Sequence, residues 1–311
     1  MNWGHSHQII TRRNALARGY SDDELYRAKH RGEIVSIGCG AYVDWADYRQ
    51  LDTAARHRLA INVAAQRTGN GAVVSHTSAA ILHGLDTWRL DINKVDMTLR
   101  NRVGGTTTGS RRLHSGPLDD EDISVVDGIA VTSGTRTVVD IACTNGFEEA
   151  VVVGDHALRT GKTTFEKLDA LLGRSRRRRG IVGARRVAAF LDALSESVGE
   201  SRSRVQIVAV GFPKPELQQP IYDNAGNLIA RVDFLWRDLK IIGEFDGLGK
   251  YSMVDGKTEY EVLRAEKRRE DQLRALGYVV VRWTWADLEN PQRLRALLEQ
   301  AFRTATALKR S

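Results

Sequence analysis

Alternating apolar and polar residues predict two consecutive β-strands in the last third of the chain. Residues 231–236 (RVDFLW) and 241–246 (IIGEFD) carry this pattern, and the residues between them read as a turn. A hairpin closed by residues 237–240 brings Trp236 opposite Ile241. The same register predicts which polar side chains meet on the sheet.

The predicted hairpin concentrates carboxylates on one face. Because side chains alternate between the two faces of a strand, Glu244 and Asp246 share a face. The register places Asp233 directly opposite Glu244. Like charges in opposite positions destabilise a sheet, so the cluster requires a cation, a proton or a basic partner. A divalent metal ion is one simple answer, since hard cations take oxygen ligands. The alternative is a half-exposed hairpin whose outward face is acidic.

The pattern of residues 1–48 predicts a winged helix-turn-helix domain. A short helix, a tight turn, a second helix and two short strands follow one another over residues 11–18, 22–31 and 33–43. Ser21 and Glu24 form the S-x-x-E pattern of a capping box at the start of the second helix. This order of elements is typical of proteins that place the second helix in the DNA major groove.

The second helix is predicted to have an apolar face and a basic face. At 3.6 residues per turn, Leu25, Ala28 and Gly32 lie on one side, Arg27, His30 and Arg31 lie on the opposite side, and Tyr26 and Lys29 lie at the flanks. A basic outer face suits contacts with phosphates and base edges, although a solvated helix with ordinary charges has the same pattern. The predicted DNA-contacting residues are Arg12, Arg13, Tyr26, Arg27, Lys29, His30 and Arg31.

The remaining chain divides into three parts. Residues 49–175 mix helical and strand-like segments and predict an α/β middle domain. Residues 176–195 are a basic linker and a helix, and the arginine-rich run 174–179 reads either as a loop against nucleic acid or as a solvated linker. Residues 196–311 follow the order α-β-β-β-α-β-α, which predicts a mixed sheet flanked by helices. The expected fold class is therefore a multidomain α+β or α/β protein.

Composition narrows the expected compartment and partner. The 311 residues carry a formal net charge of +7, which favours a polyanionic partner such as double-stranded DNA. The chain lacks an apolar run of membrane-spanning length, and its first residues lack the apolar segment of a signal peptide, so a cytoplasmic protein with no membrane partner is expected. Cys39 and Cys143 form no CxxC pattern and predict neither a disulfide framework nor a cysteine metal site.

The carboxyl-terminal motifs resemble the PD-(D/E)xK nuclease superfamily. These motifs are a helix with Glu200, the strand Val232-Asp233-Phe234 and the strand end Glu244-Phe245-Asp246-Gly247. Within the superfamily the chain resembles the DUF559 proteins, which are similar to very-short-patch-repair endonucleases. Residues 266–273 (EKRREDQL) and 276–283 (LGYVVVRW) match the helix and the terminal strand of that group. The resemblance implies a restriction-endonuclease-like fold for the last domain.

The amino-terminal half resembles AbiEi-type antitoxins and transcriptional regulators of bacteria. The winged domain and the motifs at residues 75–80 (SHTSAA) and 134–140 (GTRTVVD) carry this similarity. His76 and His83 stand two helical turns apart in this region; they could line a site, but a packing or capping role is the favoured interpretation.

The nuclease resemblance implies a metal site. In the superfamily pattern, Asp233 and Glu244 bind Mg²⁺ or Mn²⁺, the backbone carbonyl of Phe245 is a further ligand, and Glu200 completes or orients the site. The pattern also has a lysine two residues after the glutamate, which stabilises developing negative charge and helps to deprotonate water. This chain has Asp246 at that position.

Several residues are candidates to replace the missing lysine. Lys250 or Lys267 could reach the site from elsewhere in the chain, or Asp246 itself could hold a second metal ion or fix the adjacent glycine. The candidate catalytic residues are therefore Glu200, Asp233, Glu244, Asp246, Lys250 and Lys267.

Three functional hypotheses fit these patterns. The first is a DNA-binding protein with a Mg²⁺-dependent, endonuclease-like carboxyl-terminal domain that acts in phage defence or in a toxin–antitoxin system. The second is a non-catalytic regulator, similar to the AbiEi antitoxins, which binds its own promoter and keeps a degenerate nuclease fold. The third is an antitoxin whose carboxyl-terminal domain docks a cognate toxin protein. A homodimer is compatible with each hypothesis, since winged helices often read two-fold DNA sites as dimers.

Overall fold

The computed structural model describes residues 9–38, 40–67, 71–100, 104–247 and 259–310. The chain divides into a first unit, Met1–Ala189, and a second unit, Phe190–Ser311. None of the described helices is long and apolar enough to cross a membrane.

The first unit begins with the predicted winged domain. Its elements are β1 (Ile10–Thr11), α1 (Arg12–Ala17), α2 (Asp22–His30), β2 (Ile34–Gly38) and β3 (Ala41–Asp44), with the strands antiparallel in the order β1-β3-β2. The predicted capping box is confirmed, because the Glu24 amide donates to Ser21 Oγ at 3.2 Å and the Ser21 amide donates to the Glu24 carboxylate at 2.8 Å. Leu25 and Ala28 of α2 face a small apolar core. The basic face of α2 therefore points away from that core.

The rest of the first unit is a mixed α/β domain. The described strands are β4 (Ala72–Val74), β5 (Val95–Arg100), β6 (Thr106–Thr108), β7 (Arg111–Gly116), β8 (Ile123–Val126) and β9 (Ile129–Thr132), in the sheet order β6-β7-β5-β4-β9-β8. Strands β5 and β7 are parallel, as are β4 and β9, and the other neighbours are antiparallel. The helices are α3 (Trp45–Gln50), α4 (Thr53–Arg67), α5 (His76–Leu82), α6 (Gly134–Thr144), α7 (Phe147–Arg159), α8 (Phe165–Arg174) and α9 (Ile181–Phe190), of which the last ends at the unit boundary.

The second unit is a mixed sheet flanked by helices, in the predicted order of elements. Its strands are β10 (Glu216–Tyr222), β11 (Leu228–Trp236), β12 (Ile241–Asp246) and β13 (Val279–Thr284), and its helices are α10 (Val198–Ala209), α11 (Glu259–Ala275), α12 (Trp285–Leu288) and α13 (Pro291–Arg310). The sheet runs β10-β11-β12-β13, and only the last pair is parallel. The predicted fold class, a multidomain protein of mixed α and β structure, is confirmed.

The hairpin between β11 and β12 has the predicted register. Trp236 pairs with Ile241, and the pairing continues to Phe234 opposite Gly243. Residues Arg237–Leu239 form a single 3₁₀ turn that connects the strands. The end of β12 is thereby placed beside the middle of β11.

Two glycines let neighbouring layers of the second unit approach closely. A Cβ atom at Gly199 of α10 would lie 1.9 Å from the ring of Phe245, and a Cβ atom at Gly243 of β12 would lie 2.4 Å from the ring of Trp283. Both separations are far shorter than van der Waals contact, so a larger residue at either position requires a rearrangement. The first contact seats the start of α10 against the end of β12.

Candidate functional site

The predicted acidic residues lie around the end of β12 in the second unit. Asp233 is on β11, Glu244 is on β12 and Glu200 is in the first turn of α10. Glu200 and Glu244 are 8% and 7% exposed. A buried carboxylate needs hydrogen-bonding or charged partners, and the partners differ from one acid to the next.

Gln218 of β10 lies between two of the predicted acids. Its Nε2 donates to Glu200 Oε2 at 2.9 Å and lies 3.5 Å from Asp233 Oδ1. Gln218 has a φ of 53°, in the left-handed region that costs a non-glycine residue about 1–3 kcal/mol. Strain of this kind accumulates at functional sites, and here it accompanies an amide held between two carboxylates. The sequence patterns did not single out this residue.

Asp233 also contacts the backbone of the neighbouring strand. Its Oδ2 accepts a hydrogen bond from the Phe245 N–H at 3.0 Å. Regular pairing of the two strands extends to Phe234 and Gly243. Beyond that pair, the Asp233 side chain, and not a backbone carbonyl of β11, accepts the hydrogen bond from the Phe245 amide of β12. Asp233 is thereby tied both to the strand end and to Gln218.

Glu200 has a perturbed acidity. Burial raises the pKa of the Glu200 carboxyl, and the negative charge of Asp233 acts in the same direction. Hydrogen bonds from the Glu196 amide at 2.9 Å, from Ser197 Oγ at 2.8 Å and from Gln218 oppose this rise. Part of this environment is ordinary helix capping, because the Glu200 amide also donates to Ser197 Oγ.

Glu244 is neutralised by two arginines. Arg269 of α11 donates through Nη2 to Oε2 at 3.2 Å and lies 2.9 Å from Oε1, and Arg282 of β13 donates through Nε to Oε2 at 2.9 Å. Arg282 also donates to Glu270 at 2.5 Å, and it lies 3.4 Å from Glu266. The sequence left open whether a metal cation, a proton or a basic partner compensates the clustered carboxylates. For Glu244 the structure shows basic partners, Arg269 and Arg282.

The candidate replacements for the missing lysine lie in different places. Lys267 is exposed on α11, and the described partners of Glu244 are arginines of the same helix and of β13. Asp246 is half-buried at the end of β12, where it pairs with Thr284 in the parallel ladder. Lys250 lies outside the described residues. Positive charge at this site is thus supplied by guanidinium groups.

The predicted metal ligands fit Mg²⁺ only in part. Glu200, Asp233 and the carbonyl of Phe245 are hard oxygen donors of the kind that Mg²⁺ takes. Each oxygen of Glu244, however, lies 2.9 Å from an arginine nitrogen. Within the described residues, the His, Cys, Asp and Glu side chains nowhere form a group of three or more that could hold a metal ion. Glu244 would have to exchange its arginine partners for a metal ion.

Helix α2 presents most of the predicted DNA-contacting residues to solvent. Tyr26 is 64% exposed, and its ring centroid lies 4.2 Å from that of His30. Arg27 and Lys29 are exposed on the same helix, and Arg13 is exposed on α1. These side chains are therefore accessible to solvent on α1 and α2.

Two of the predicted arginines have acidic partners. Arg12 donates to Asp22 through two bonds of 2.6 and 2.5 Å, and Arg31 donates to Glu33 at 2.6 and 3.2 Å. Exposed ion pairs of this kind contribute little to stability, so their arginines can exchange a carboxylate for another anion.

The two histidines of the middle domain are held inside the first unit. His83 donates through Nε2 to the carbonyl oxygen of Thr132 at 2.7 Å. His76 is buried, stacks on His114 with ring centroids 3.6 Å apart, and has its Nδ1 3.9 Å from Asp140 Oδ2. Burial lowers the pKa of His76 to about 4. Both side chains are engaged in packing and polar contacts.

Comparison with known proteins gives two relatives. The chain is 30% identical over 214 residues to the uncharacterized proteins MT2308 (strain CDC 1551 / Oshkosh) and Rv2248 (strain ATCC 25618 / H37Rv) of Mycobacterium tuberculosis. The match covers 68% of this chain and 74% of each relative. The crystal structure of the RV2827C protein from Mycobacterium tuberculosis superimposes with a TM-score of 0.40 at 14% identity, covering 69% of this chain and 83% of that chain. That similarity is too low to bear on function.

No family model matches the chain. The identity to MT2308 and Rv2248 extends over two thirds or more of each sequence, so it is not confined to one motif or one element. The chain belongs to the family of these two mycobacterial proteins.

Proposed function

We propose that this protein is a DNA-binding regulator that recognises double-stranded DNA through α2. The observation that carries the proposal is the two-sided character of this helix. Leu25 and Ala28 are buried, whereas Arg27 and His30 are exposed on the opposite side and Lys29 is exposed at the flank. Basic side chains on a helix beside a β-wing suit contacts with phosphates and with base edges in the major groove. The formal net charge of +7 favours the same polyanionic partner.

The neighbouring side chains extend this surface. Tyr26 and His30 add a phenol and an imidazole, which donate to phosphates or base edges from the same helix face. Arg12 and Arg31 are held by Asp22 and Glu33 in exposed ion pairs. A phosphate can replace either carboxylate with little loss of free energy, because both ion pairs are exposed to solvent. Because these ion pairs already hold the two arginine side chains in place, binding DNA would cost less side-chain entropy.

The test is DNA binding by the Arg27→Ala/Lys29→Ala variant, measured by fluorescence anisotropy with a duplex from the protein's own promoter region. Loss of two phosphate contacts should weaken binding and reduce the slope of log K against log salt by about two. The control is Arg295→Ala/Arg303→Ala on α13, which removes the same charge from exposed positions of the second unit. Equal losses in both variants would show general electrostatic attraction and reject α2 as the recognition helix.

Two features of the second unit favour a regulator over an active nuclease. Asp246 stands where the nuclease pattern has a lysine, and an aspartate cannot stabilise developing negative charge. Glu244 is bound on both oxygens by Arg269 and Arg282. The charge of Glu244 is therefore compensated by groups of the protein itself.

The second candidate function is a Mg²⁺-dependent endonuclease, and the contact of Glu200, Gln218 and Asp233 favours it. A buried acid with a raised pKa beside a second carboxylate is typical of functional sites. Glu200, Asp233 and the Phe245 carbonyl would hold the ion, which when bound would polarise a phosphodiester and lower the pKa of the attacking water. Arg269 and Arg282, which contact Glu244, would then take the role of the absent lysine.

Plasmid nicking distinguishes the two functions. The purified protein is incubated with supercoiled plasmid and with Mg²⁺ or Mn²⁺, alongside the variants Glu200→Gln and Asp233→Asn. An endonuclease predicts metal-dependent nicking by the wild type and its loss in both variants. The control is Glu299→Gln, which changes a glutamate of α13 whose side chain is 43% exposed. Intact plasmid with the wild type, together with salt-sensitive promoter binding, selects the regulator; nicking that survives in both variants indicates a contaminating nuclease.

A further inference from the structure

A cavity of about 460 Å³ opens in the first unit, beside the carboxyl end of β7 and the helices α6 and α8. Four arginines line it, namely Arg136, Arg174, Arg177 and Arg178, against two acids, Asp119 and Asp122. We refer to it as the arginine cavity. The proposed DNA-binding function does not use it, and the basic run at residues 174–179 supplies three of its four cations.

Arg136 is the most buried cation of the arginine cavity, with its side chain 6% exposed. Its Nε donates to Asp140 Oδ1 at 2.7 Å and its Nη1 donates to Asp122 Oδ2 at 2.8 Å. These acids fix the guanidinium in one orientation. A buried and oriented guanidinium is prepared for an anion, because little side-chain freedom remains to be lost on binding.

Arg178 has an unused donor at the arginine cavity. Its Nη2 lies 2.6 Å from Asp140 Oδ1, whereas its Nη1 is buried and makes no hydrogen bond with the described residues. A buried N–H group without a partner is costly, and an acceptor oxygen in the cavity would remove that cost. A ligand oxygen or an ordered water molecule can satisfy this donor.

Arg174 and Arg177 complete the more exposed part of the wall. Arg174 forms ion pairs with Asp119, Glu121 and Asp122, and its side chain is 34% exposed. Arg177 is exposed and has no ion pair within the described residues. Arg177 is thus a cation that binding can recruit without breaking a contact of the fold.

The lining identifies the class of ligand. Guanidinium groups match the geometry of phosphate oxygens, and Arg177, which has no ion pair within the described residues, leaves one such group on the wall for an incoming anion. The volume falls in the range of small-molecule sites, and Pro117 and Leu171 add apolar wall for an organic group. The nearly buried position of Arg136 suits a terminal phosphate, which can enter a recess, rather than a phosphodiester within a duplex. We propose that the arginine cavity binds a small phosphomonoester of mononucleotide size.

The test uses adenosine 5′-monophosphate as the probe, titrated into the full chain by isothermal calorimetry. We expect saturable one-to-one binding, competition by inorganic phosphate, and none by adenosine. Arg177→Glu should weaken binding at least about tenfold, which corresponds to the loss of one charged hydrogen bond. The matched control is Arg179→Glu, an equally exposed arginine of the same run that does not line the cavity, and it should change affinity less than about twofold.

Two further measurements make the outcome decisive. Arg178→Lys keeps the charge and removes the planar fork, so it should also weaken binding while the ligand-free melting temperature reports whether the variant is folded. The proposal is overturned if the wild type binds neither the nucleotide nor phosphate, or if Arg177→Glu and Arg179→Glu behave alike. It is also overturned if a dicarboxylate or an unphosphorylated DNA oligonucleotide competes as well as phosphate does.

Discussion

The carboxylate of Asp233 accepts a hydrogen bond from the backbone N–H of Phe245 at 3.0 Å, across the β11–β12 hairpin. Asp233→Ala removes this acceptor and leaves a strand-end amide without its partner. We expect a loss of about 1–3 kcal/mol in the free energy of unfolding, measured by urea denaturation. Asp233→Asn keeps an acceptor oxygen and should lose less. Equal losses in the two variants would show that the charge of Asp233, and not this hydrogen bond, stabilises the hairpin.

Asp233→Asn should also lower the pKa of Glu200. Burial raises that pKa and the negative charge on Asp233 adds to the rise, so a neutral amide at position 233 removes the second contribution. Carbon-detected NMR titration of the glutamate carboxyl groups measures the change. The control is Asp223→Asn in the exposed turn before β11, which should leave the Glu200 titration unaltered. An unchanged Glu200 pKa in Asp233→Asn would mean that the two acids are not electrostatically coupled.

Gly199→Ala should destabilise the second unit. The new methyl group would lie 1.9 Å from the Phe245 ring, so either the ring or α10 must move. Overpacking of this kind costs about 1–3 kcal/mol, which thermal denaturation would detect as a lower melting temperature. The matched control is Gly173→Ala in α8, where a Cβ atom meets nothing within 4 Å and helix propensity favours alanine. If both substitutions leave the melting temperature unchanged, α10 does not lie as close to the Phe245 ring as the structure shows.

The local features of this chain were predictable from its sequence because they depend on neighbouring residues. The Ser21–Glu24 capping box spans one helical turn, and the pairing of Trp236 with Ile241 follows from the length of one turn between two alternating strands. The mixed fold class follows from the order of such elements. These predictions needed only the helix and strand periods and the chemistry of short turns.

The partners of the predicted acids were not predictable in the same way. Arg269 and Arg282 reach Glu244 from 25 and 38 residues away, and sequence spacing does not report such distances. Gln218 adopts a left-handed backbone conformation that glutamine disfavours, so the conformational preference of its residue type does not predict this conformation. The DNA-binding, metal, toxin and homodimer hypotheses stay predictions, because each concerns a partner and not a contact within the chain.

The ion pairs of Glu244 give a prediction about coupling. Glu244→Ala leaves Arg269 and Arg282 without their shared acceptor and should cost about 1–3 kcal/mol in unfolding free energy. In a double-mutant cycle with Arg282→Ala, we expect a coupling of about 1 kcal/mol, because solvent screens the partly exposed guanidinium. The exposed Arg295–Glu299 pair of α13 is the comparison and should show coupling within experimental error. A null coupling for Glu244 and Arg282 would contradict a stabilising role for the arginines.

The buried His76 predicts a loss of stability in mild acid. Burial lowers its pKa from 6.5 to about 4, and this outweighs the opposing effect of Asp140. Between these values the unfolded chain binds a proton that folded His76 does not bind, so unfolding becomes easier as the pH falls from 6.5 towards 4. The full contribution is about 3 kcal/mol, which urea denaturation at several pH values would measure.

His76→Gln tests the origin of this pH dependence. The variant removes the titrating group, so the fall in unfolding free energy between pH 6.5 and 4 should become shallower than in the wild type, whatever the variant loses at neutral pH. His57 and His83 also have pKa values lowered by burial, and they act in the same direction, so the slope should not vanish. The control is His30→Gln, which removes an exposed histidine instead of a buried one, so a difference between the two variants reports the effect of burial. A slope unchanged in His76→Gln would assign the acid sensitivity to the other buried groups.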